Sequence, residues 1–248
     1  MLKIGIIGGS GLDDPKIITN PIEKTVETKY GTPSSPLTIG KIRDKDVVIL
    51  ARHGRGHTIP PSQVNYRANI QALKDQGCTQ ILSTTACGSL KKEIERGHFV
   101  ILDQFIDFTR HRKITFHESF ENGINHHAMP EPFDKYLRNL FIESCKELNI
   151  PYHEKGTVIT IEGPRFSTKA ESKMFRSWGA DVINMSIAPE AILANEAGIK
   201  YATIAMSTDF DCLFDDILPV KWEDVLEVFH ANSEKVKQVL INVIKKIK

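Results

Sequence analysis

The sequence is poor in the features that mark metal, redox and nucleic-acid-binding proteins. Its 248 residues include four cysteines, Cys78, Cys87, Cys145 and Cys212, and no two of them form a CxxC pair. That spacing gives no support to a zinc ribbon or a thioredoxin motif. The formal net charge is +1, so the chain has no global field that would attract nucleic acid or an anionic membrane. Any anion that it binds must be held by a local site.

Long hydrophobic runs are also missing. The apolar run IGIIGG near the start is too short to span a bilayer and follows no basic segment, so neither an anchor nor a signal peptide is predicted. Scattered single cysteines suit a reducing compartment. We therefore expect a cytoplasmic protein without a membrane partner.

Composition and periodicity indicate one α/β domain over residues 1–248. Apolar residues make up 41% and charged residues 25%, which is normal for a globular protein with a sizeable core. Short β-branched runs predict strands at 3–7, 46–51, 80–83, 98–102, 156–161, 181–184 and 200–205. Apolar residues at helical spacing predict helices at 64–73, 133–148, 170–178, 189–197 and from 222 onward. Their alternation is typical of an α/β fold, and we expect the stretch 104–129 to be irregular.

Two glycine-rich segments follow predicted strands. In GIIGGSGL, residues 5–12, glycine amides and the Ser10 hydroxyl suit an anion, although a simple tight turn explains the pattern almost as well. In ARHGRGHTIPP, residues 51–61, Arg52 offers a planar fork of donors for phosphate; the alternative is a solvated basic loop. Gly54 and Gly56 argue against a helical metal pair made by His53 and His57, and we predict no metal site.

Two further segments are less specific when taken alone. STTACGSL, residues 83–90, carries small and hydroxylated side chains, and Gly88 gives a flat ligand room to approach the backbone. TIEGPRFST, residues 160–168, places Phe166 and Ser167 after a Gly-Pro turn. There the ring would stack on a base and the hydroxyl would bond to it, although core packing is the usual role of a lone Phe.

The sharpest signal is AMSTDFDC, residues 205–212, where a buried-looking strand ends in Asp209 and Asp211. Two acids at i and i+2 face the same side if the chain stays extended. A carboxyl group beside an apolar wall has a raised pKa and acts as a proton donor. The alternative is an Asp that caps the turn after the strand.

These blocks, together with NYRANI, DQFID and PEAILANEAGI, follow one another in the order and spacing typical of the methylthioadenosine phosphorylase branch of the purine nucleoside phosphorylases. The sequence resembles that family from Ile4 to the final helix, and residues 108–130 match it only loosely. The resemblance implies a single domain with a central mixed β-sheet flanked by α-helices. It also implies a homotrimer or a dimer of trimers without a cofactor, in which inorganic phosphate is a co-substrate.

The same resemblance implies three groups of site residues. The residues implied for phosphate are Ser10, Arg52, His53, Thr85, Ala86 (through its backbone) and Ser186. Those implied for the purine are Phe166, Ser167, Asp209 and Asp211, with the backbone near Cys87 and Gly88. Met185 is implied for the ribose, and Trp222 and Val225 for an apolar 5′ substituent, joined by His126 of a neighbouring subunit.

The implied reaction is phosphorolysis of 5′-methylthioadenosine to adenine and 5-methylthioribose 1-phosphate, a step of methionine and purine salvage. Phosphate is the nucleophile and Asp209 protonates N7 of the base, so both interactions strengthen towards the transition state. A 6-oxopurine nucleoside or 5′-methylthioinosine phosphorylase is the main alternative, but two carboxyl groups favour a 6-amino base. A nucleoside hydrolase is a second alternative, but it needs a group that activates water. A non-enzymatic nucleotide-binding module is a third, and it leaves the Asp pair without a role.

Overall fold

A computed structural model describes residues 2–8, 17–121, 123–212 and 220–248. These residues form eleven strands: β1 (Lys3–Gly8), β2 (Thr19–Lys24), β3 (Leu37–Ile42), β4 (Lys45–Ala51), β5 (Gln80–Ser89), β6 (Phe99–Ile101), β7 (Gln104–Phe108), β8 (Tyr152–His153), β9 (Thr157–Ile161), β10 (Val182–Asn184) and β11 (Lys200–Asp209). They also form five α-helices: α1 (Tyr66–Asp75), α2 (Lys135–Glu147), α3 (Lys169–Ser177), α4 (Ile187–Glu196) and α5 (Trp222–Lys246).

One mixed sheet contains all eleven strands, and β5 lies at its centre. The first half of β5 pairs in parallel with β1, its far end pairs antiparallel with β10, and β11 runs parallel along its whole other side. From β1 the sheet continues through β4 to the antiparallel strands β3 and β2, and from β10 through β9 to β7. The predicted α/β class with a mixed sheet is confirmed, and the end of β5 is where strands of both directions meet.

Alternating side chains of the central strands build a core on each face of the sheet. Ile4 and Ile6 of β1 pack on the face covered by α2 and α5, whereas Ile7 packs on the face covered by α1 and α4. Val47 and Val48 of β4 divide between the two faces in the same way. Strands that are apolar on both faces therefore lie between two helical layers, as the sequence pattern predicts.

All five predicted helices are present, and their ends are shifted by at most two residues. The helix predicted from residue 64 begins at Tyr66 because the side chain of Asn65 accepts a hydrogen bond from the N–H of Ala68 and caps it. Thr168 and Glu171 form a capping box that starts α3. Among the described residues, no helix is long and apolar enough to cross a membrane.

Three predictions about the strands need correction. The strand predicted at 80–83 continues to Ser89, because its small side chains fit between β11 and β10. Strands β2, β3 and β8 were not predicted; β2 is exposed at all six positions, so it has no buried face for an apolar pattern to reveal. The stretch expected to be irregular contains β7, which pairs with β9, whereas residues 109–121 and 123–134 contain no helix or strand.

Candidate active site

A cavity of about 470 Å³ opens where the ends of several strands meet the middle of β5. The segment after β4 forms one wall, and the residues that join β10 to α4 form another. Thr85, Ala86, Cys87 and Gly88 of β5 lie between these walls, and the end of β11 and the start of α5 complete the lining. Ligands of α/β sheets bind at such strand ends, so this cavity is the candidate site.

Polar groups without formal charge form one end of the cavity. Asn184 donates to the Thr85 hydroxyl at 3.4 Å and accepts from the backbone N–H of Ser186, also at 3.4 Å. The Thr160 hydroxyl holds the Asn184 side chain by donating to its Oδ1 at 2.9 Å. Ser186 is the N-cap of α4, but its side chain makes no capping hydrogen bond. The positive end of a ten-residue helix thus lies at the cavity beside hydroxyl groups, an arrangement that suits an anion.

The Arg52 side chain lines the cavity but turns its fork away from it. Its Nε donates to Oε1 of Glu190 at 2.5 Å and its Nη2 donates to Oε2 at 3.0 Å, so the guanidinium pairs with that carboxylate through two bonds. Further bonds run to the carbonyl of Thr84 and the hydroxyl of Ser83. The forked donors that the sequence suggested for phosphate are therefore occupied by Glu190.

Three aromatic rings line the cavity at the segment after β4. The rings of His53 and His57 stack with centroids 4.4 Å apart, and Trp222 tilts against His57 at 5.2 Å. The Nδ1 of His53 lies 2.9 Å from the Ile59 carbonyl, which accepts only from a protonated nitrogen, so Nε2 is an acceptor in the neutral ring. Burial and the neighbouring Arg52 charge lower the pKa of His53 to about 3, so this ring is neutral at physiological pH.

Asp209 ends β11 and presents its carboxyl group to the cavity. Oδ1 accepts from the backbone N–H of Asp211 at 2.8 Å and Oδ2 accepts from the Thr208 hydroxyl at 2.9 Å. Burial is the largest influence on this group, and together with the charge of Asp211 it raises the pKa of Asp209 despite those two bonds. A buried carboxyl with a raised pKa is the form that a proton donor needs.

Asp211 does not share the orientation of Asp209, contrary to the extended-chain expectation. The chain turns after β11, Asp211 has a φ of 45°, and its side chain is buried outside the cavity lining. Its Oδ1 accepts from the Ser167 hydroxyl at 2.8 Å. Asp211 and Ser167 therefore form a layer behind the cavity, and neither is part of the described lining.

Most of the other residues predicted for the site line the cavity. Phe166, Met185 and Val225 do so, as do Cys87 and Gly88, and Trp222 and Phe166 keep 43% and 39% of their surface exposed. A Cβ on Gly88 would lie 2.9 Å from Oδ1 of Asp209, so this glycine sits directly beneath the carboxyl group.

Two predicted residues are not placed in the cavity. His126 is exposed, packs beside Phe120 and does not line the cavity of its own chain. Ser10 lies outside the described residues.

Sequence reasoning missed three residues that organise the site: Asn184, Glu190 and Arg112. Glu190 had a signal, since it is the one charged residue in the otherwise apolar start of α4. Arg112, from the irregular stretch, has a buried side chain that donates to the Met185 carbonyl at 2.7 Å and to the Tyr66 hydroxyl at 2.8 Å. Among the residues described, no cluster of three or more His, Cys, Asp or Glu side chains has the geometry to hold a metal.

The chain belongs to the phosphorylase superfamily, whose family model matches residues 3–245. It is similar to S-methyl-5′-thioadenosine phosphorylases over nearly its whole length. The enzyme of Xenopus tropicalis is 54% identical over 250 residues, covering 99% of this chain and 89% of the relative, and that of Anopheles gambiae is 53% identical over 248 residues with the same coverage.

Solved structures agree with the sequence comparison. Methylthioadenosine phosphorylase from Schistosoma mansoni in complex with adenine superposes with a TM-score of 0.93 at 41% identity, covering 99% of this chain and 91% of that one. A mutant of the adenosine/methylthioadenosine phosphorylase from the same organism, in complex with methylthioadenosine, gives a TM-score of 0.92 at 41% identity. The predicted family and its nucleoside phosphorylase fold are thus confirmed.

Proposed function

We propose that the chain catalyses the phosphorolysis of 5′-methylthioadenosine, releasing adenine and 5-methylthioribose 1-phosphate in methionine and purine salvage. The observation that carries the proposal is Asp209, a buried carboxyl group with a raised pKa that faces a cavity whose other end is built for an anion. The similarity to phosphorylases solved with adenine and with methylthioadenosine supports this assignment.

Asp209 is the proton donor in this proposal. As the bond between the sugar and N9 lengthens, negative charge accumulates on the purine, and a proton delivered to N7 stabilises it as a leaving group. Burial keeps the carboxyl protonated to a higher pH than in an ordinary aspartate. Phe166 flanks the base with its half-exposed ring, whereas Ser167 and Asp211 act from behind by holding the turn after β11.

Phosphate binds at the polar end and acts as the nucleophile. The Thr85 and Ser186 hydroxyls, the Ala86 backbone and the start of α4 are its proposed donors, with Ser10 as a further proposed residue. His53, neutral and with Nε2 as an acceptor, takes a hydrogen bond from a protonated phosphate oxygen. The anion then lies beneath the anomeric carbon, near Met185, and stabilises the oxocarbenium-like sugar.

The 5′ substituent occupies the apolar part of the cavity. Trp222, Val225, Leu226 and Phe229 project from α5, and Ile59 faces them from the segment after β4. A dry, apolar wall favours a methylthio group over a hydroxyl group by an amount typical of small apolar substituents, about 1–3 kcal/mol. His126 of a neighbouring subunit closes this region in the proposed homotrimer or dimer of trimers. The proposal includes a cytoplasmic location and no cofactor beyond the phosphate co-substrate.

The deciding experiment measures product formation with and without phosphate. 5′-Methylthioadenosine, adenosine, 5′-methylthioinosine and inosine are each supplied, and adenine, hypoxanthine and sugar 1-phosphate are resolved. We expect adenine and 5-methylthioribose 1-phosphate only when phosphate is present. Free methylthioribose formed equally fast without phosphate would indicate a hydrolase, faster release of hypoxanthine would indicate a 6-oxopurine enzyme, and no turnover would indicate a binding module.

A variant tests the proton donor separately. Asp209→Asn removes the transferable proton but keeps the shape of the side chain, so turnover of adenine nucleosides falls by about 10²–10⁴-fold, the usual contribution of general acid catalysis. An amide donates to a carbonyl oxygen, so the relative preference shifts towards 6-oxopurines. Unchanged activity on adenine nucleosides would remove Asp209 from this role.

A further inference from the structure

A fully buried ion pair lies directly behind the proposed phosphate site. Arg52 and Glu190 have side chains that are 2% and 0% exposed. Oε2 of Glu190 also accepts from the hydroxyls of Tyr201, at 2.8 Å, and Ser83, at 3.1 Å. Glu190 comes from the first turn of α4, the helix whose N-cap is Ser186, so one short segment supplies both an anion-binding group and a buried carboxylate.

The hydrogen bonds that Arg52 already makes limit the number of N–H donors that it can offer to a ligand. A guanidinium has five N–H groups. Four of them donate to Glu190 (twice), to the Thr84 carbonyl and to the Ser83 hydroxyl. Among the described groups, none accepts the remaining Nη1 hydrogen. Arg52 therefore meets a phosphate with one N–H at most, and its positive charge is already balanced by an adjacent carboxylate.

The charge of the surrounding groups is also close to zero. His53 is neutral because Nδ1 is bound to the Ile59 carbonyl and the ring is buried beside a cation. Thr85, Asn184 and Ser186, which form the polar end of the cavity, carry no formal charge. Arg52 lines the cavity, and the carboxylate of Glu190 behind it balances its positive charge.

We infer that Glu190 is a positioning residue that weakens phosphate binding. It neutralises the charge of Arg52 and occupies its forked N–H donors. The co-substrate therefore binds in an electroneutral cradle. This inference rests on the proposed phosphorolysis. Binding energy that is equal in the ground state and the transition state does not raise the rate at saturation. A cradle of hydroxyls, backbone N–H groups and a helix terminus holds the dianion in place without a fully charged clamp, so the dianion stays available to attack the anomeric carbon.

The test compares two substitutions at position 190 that separate charge from geometry. Glu190→Gln removes the negative charge and keeps the length of the side chain. We expect its dissociation constant for inorganic phosphate to fall about fivefold or more, because a charge is removed close to the bound dianion. Phosphate KM falls in parallel, while kcat does not rise. Glu190→Asp keeps the charge and shifts the carboxylate, so phosphate binding does not become tighter.

Calorimetry with inorganic phosphate and the phosphate dependence of the melting temperature provide readouts besides activity. An unpaired buried arginine destabilises the free protein, so phosphate raises the melting temperature of Glu190→Gln more than that of the unmodified protein. Tyr201→Phe, which removes an uncharged donor to the Glu190 carboxylate and leaves both charges of the ion pair in place, is the matched control and leaves phosphate affinity within about twofold. Unchanged or weaker phosphate binding by Glu190→Gln would overturn the inference.

If Glu190→Gln does not fold, the unmodified protein decides the question. An electroneutral cradle predicts a phosphate dissociation constant that changes less than about twofold between about 0.05 and 0.5 M KCl at constant pH. A steep weakening with salt would show a net positive site and contradict the inference. The proposed function is tested separately from this inference, because it fails if turnover of 5′-methylthioadenosine does not require phosphate.

Discussion

The backbone N–H of Asp211 donates to Oδ1 of Asp209 across 2.8 Å. This bond closes the turn at the end of β11 and directs the Asp211 side chain to Ser167 rather than to the cavity. Burial, the largest influence, and the nearby charge of Asp211 raise the pKa of Asp209, whereas this hydrogen bond itself lowers it. The two acids therefore have different proposed roles, one as proton donor and the other as a fixed neighbour whose charge adds to the effect of burial on the pKa of the donor.

The pH dependence of activity follows from this relationship. Asp209 must be protonated to act, and its pKa is raised, so activity is retained to a higher pH than an ordinary aspartate allows and falls as the pH rises through that pKa. Asp211→Asn removes one cause of the raised pKa. We expect the alkaline limb of kcat/KM to move to lower pH in this variant, measured at saturating phosphate in the same buffers. An alkaline limb at the same pH in both proteins would contradict the assignment.

Gly88→Ala tests how closely the strand supports the proton donor. A Cβ at this position would lie 2.9 Å from Oδ1 of Asp209 and 3.0 Å from Cγ2 of Ile183, so one of the two must move. Because small displacements of reacting groups are costly, we expect kcat/KM for 5′-methylthioadenosine to fall about 10²-fold.

Phosphate binding is the internal control for Gly88→Ala, since the change is made beneath the carboxyl group rather than at the polar end of the cavity. Calorimetric titration with phosphate should give an affinity close to that of the unmodified protein. Wild-type kcat/KM in a folded variant would show that Asp209 does not depend on this contact.

The sequence predicts the central part of this fold because burial on both faces leaves a clear pattern. The runs that became β1, β4 and β11 carry apolar residues on both faces, and each was predicted to within a few residues. β2 lies exposed at the edge of the sheet and, among the described strands, pairs only with β3, so it has no apolar signature. The continuation of β5 through Thr84 to Ser89 was missed because its small residues also suit a loop.

From the sequence, residues that line the cavity are predictable, but the partners that hold them in place are not. Arg52 and Asp209 each follow or end a strong strand signal, but the partner of Arg52 is Glu190, 138 residues away in the sequence. Arg112 is separated from Met185 by 73 residues and comes from a segment without periodicity. Such partners depend on tertiary packing, which local residue patterns do not reveal. The same limit explains why a fork that suits phosphate was not recognised as one half of an ion pair.

Trp222→Ala should reduce the preference for a methylthio group. The ring lies at the start of α5, lines the cavity and packs at a tilt against His57. Its removal opens the apolar wall to water, so kcat/KM for 5′-methylthioadenosine should fall about tenfold more than kcat/KM for adenosine. Trp178→Ala removes a similarly exposed tryptophan that packs on Phe108 and does not line the cavity, and it should leave the ratio unchanged. Equal losses for both substrates would assign Trp222 to helix stability instead.

In the proposed oligomer, His126 completes the site of a neighbouring subunit. His126 is exposed in a segment without helix or strand, and it does not line the cavity of its own chain, so its proposed contact with the 5′ substituent requires a neighbouring subunit. His126→Ala alone should lower kcat/KM for 5′-methylthioadenosine about tenfold through loss of a packing contact. His127→Ala, one residue further along the same exposed segment, is the matched control and should keep the activity of the unmodified protein.

Mixed oligomers then distinguish a shared site from a long-range structural effect. Co-expression of differently tagged His126→Ala and Asp209→Asn chains, followed by purification through both tags, gives assemblies that contain both variants. In a cyclic trimer that contains both variants, about a third of the sites combine an intact Asp209 with an intact His126 from the adjacent subunit. The mixed sample should therefore exceed the average of the two pure variants, and its recovered activity should have the KM of the unmodified protein. Activity equal to that average would show that His126 acts within its own chain, and a fully active monomer at high dilution would exclude the shared site.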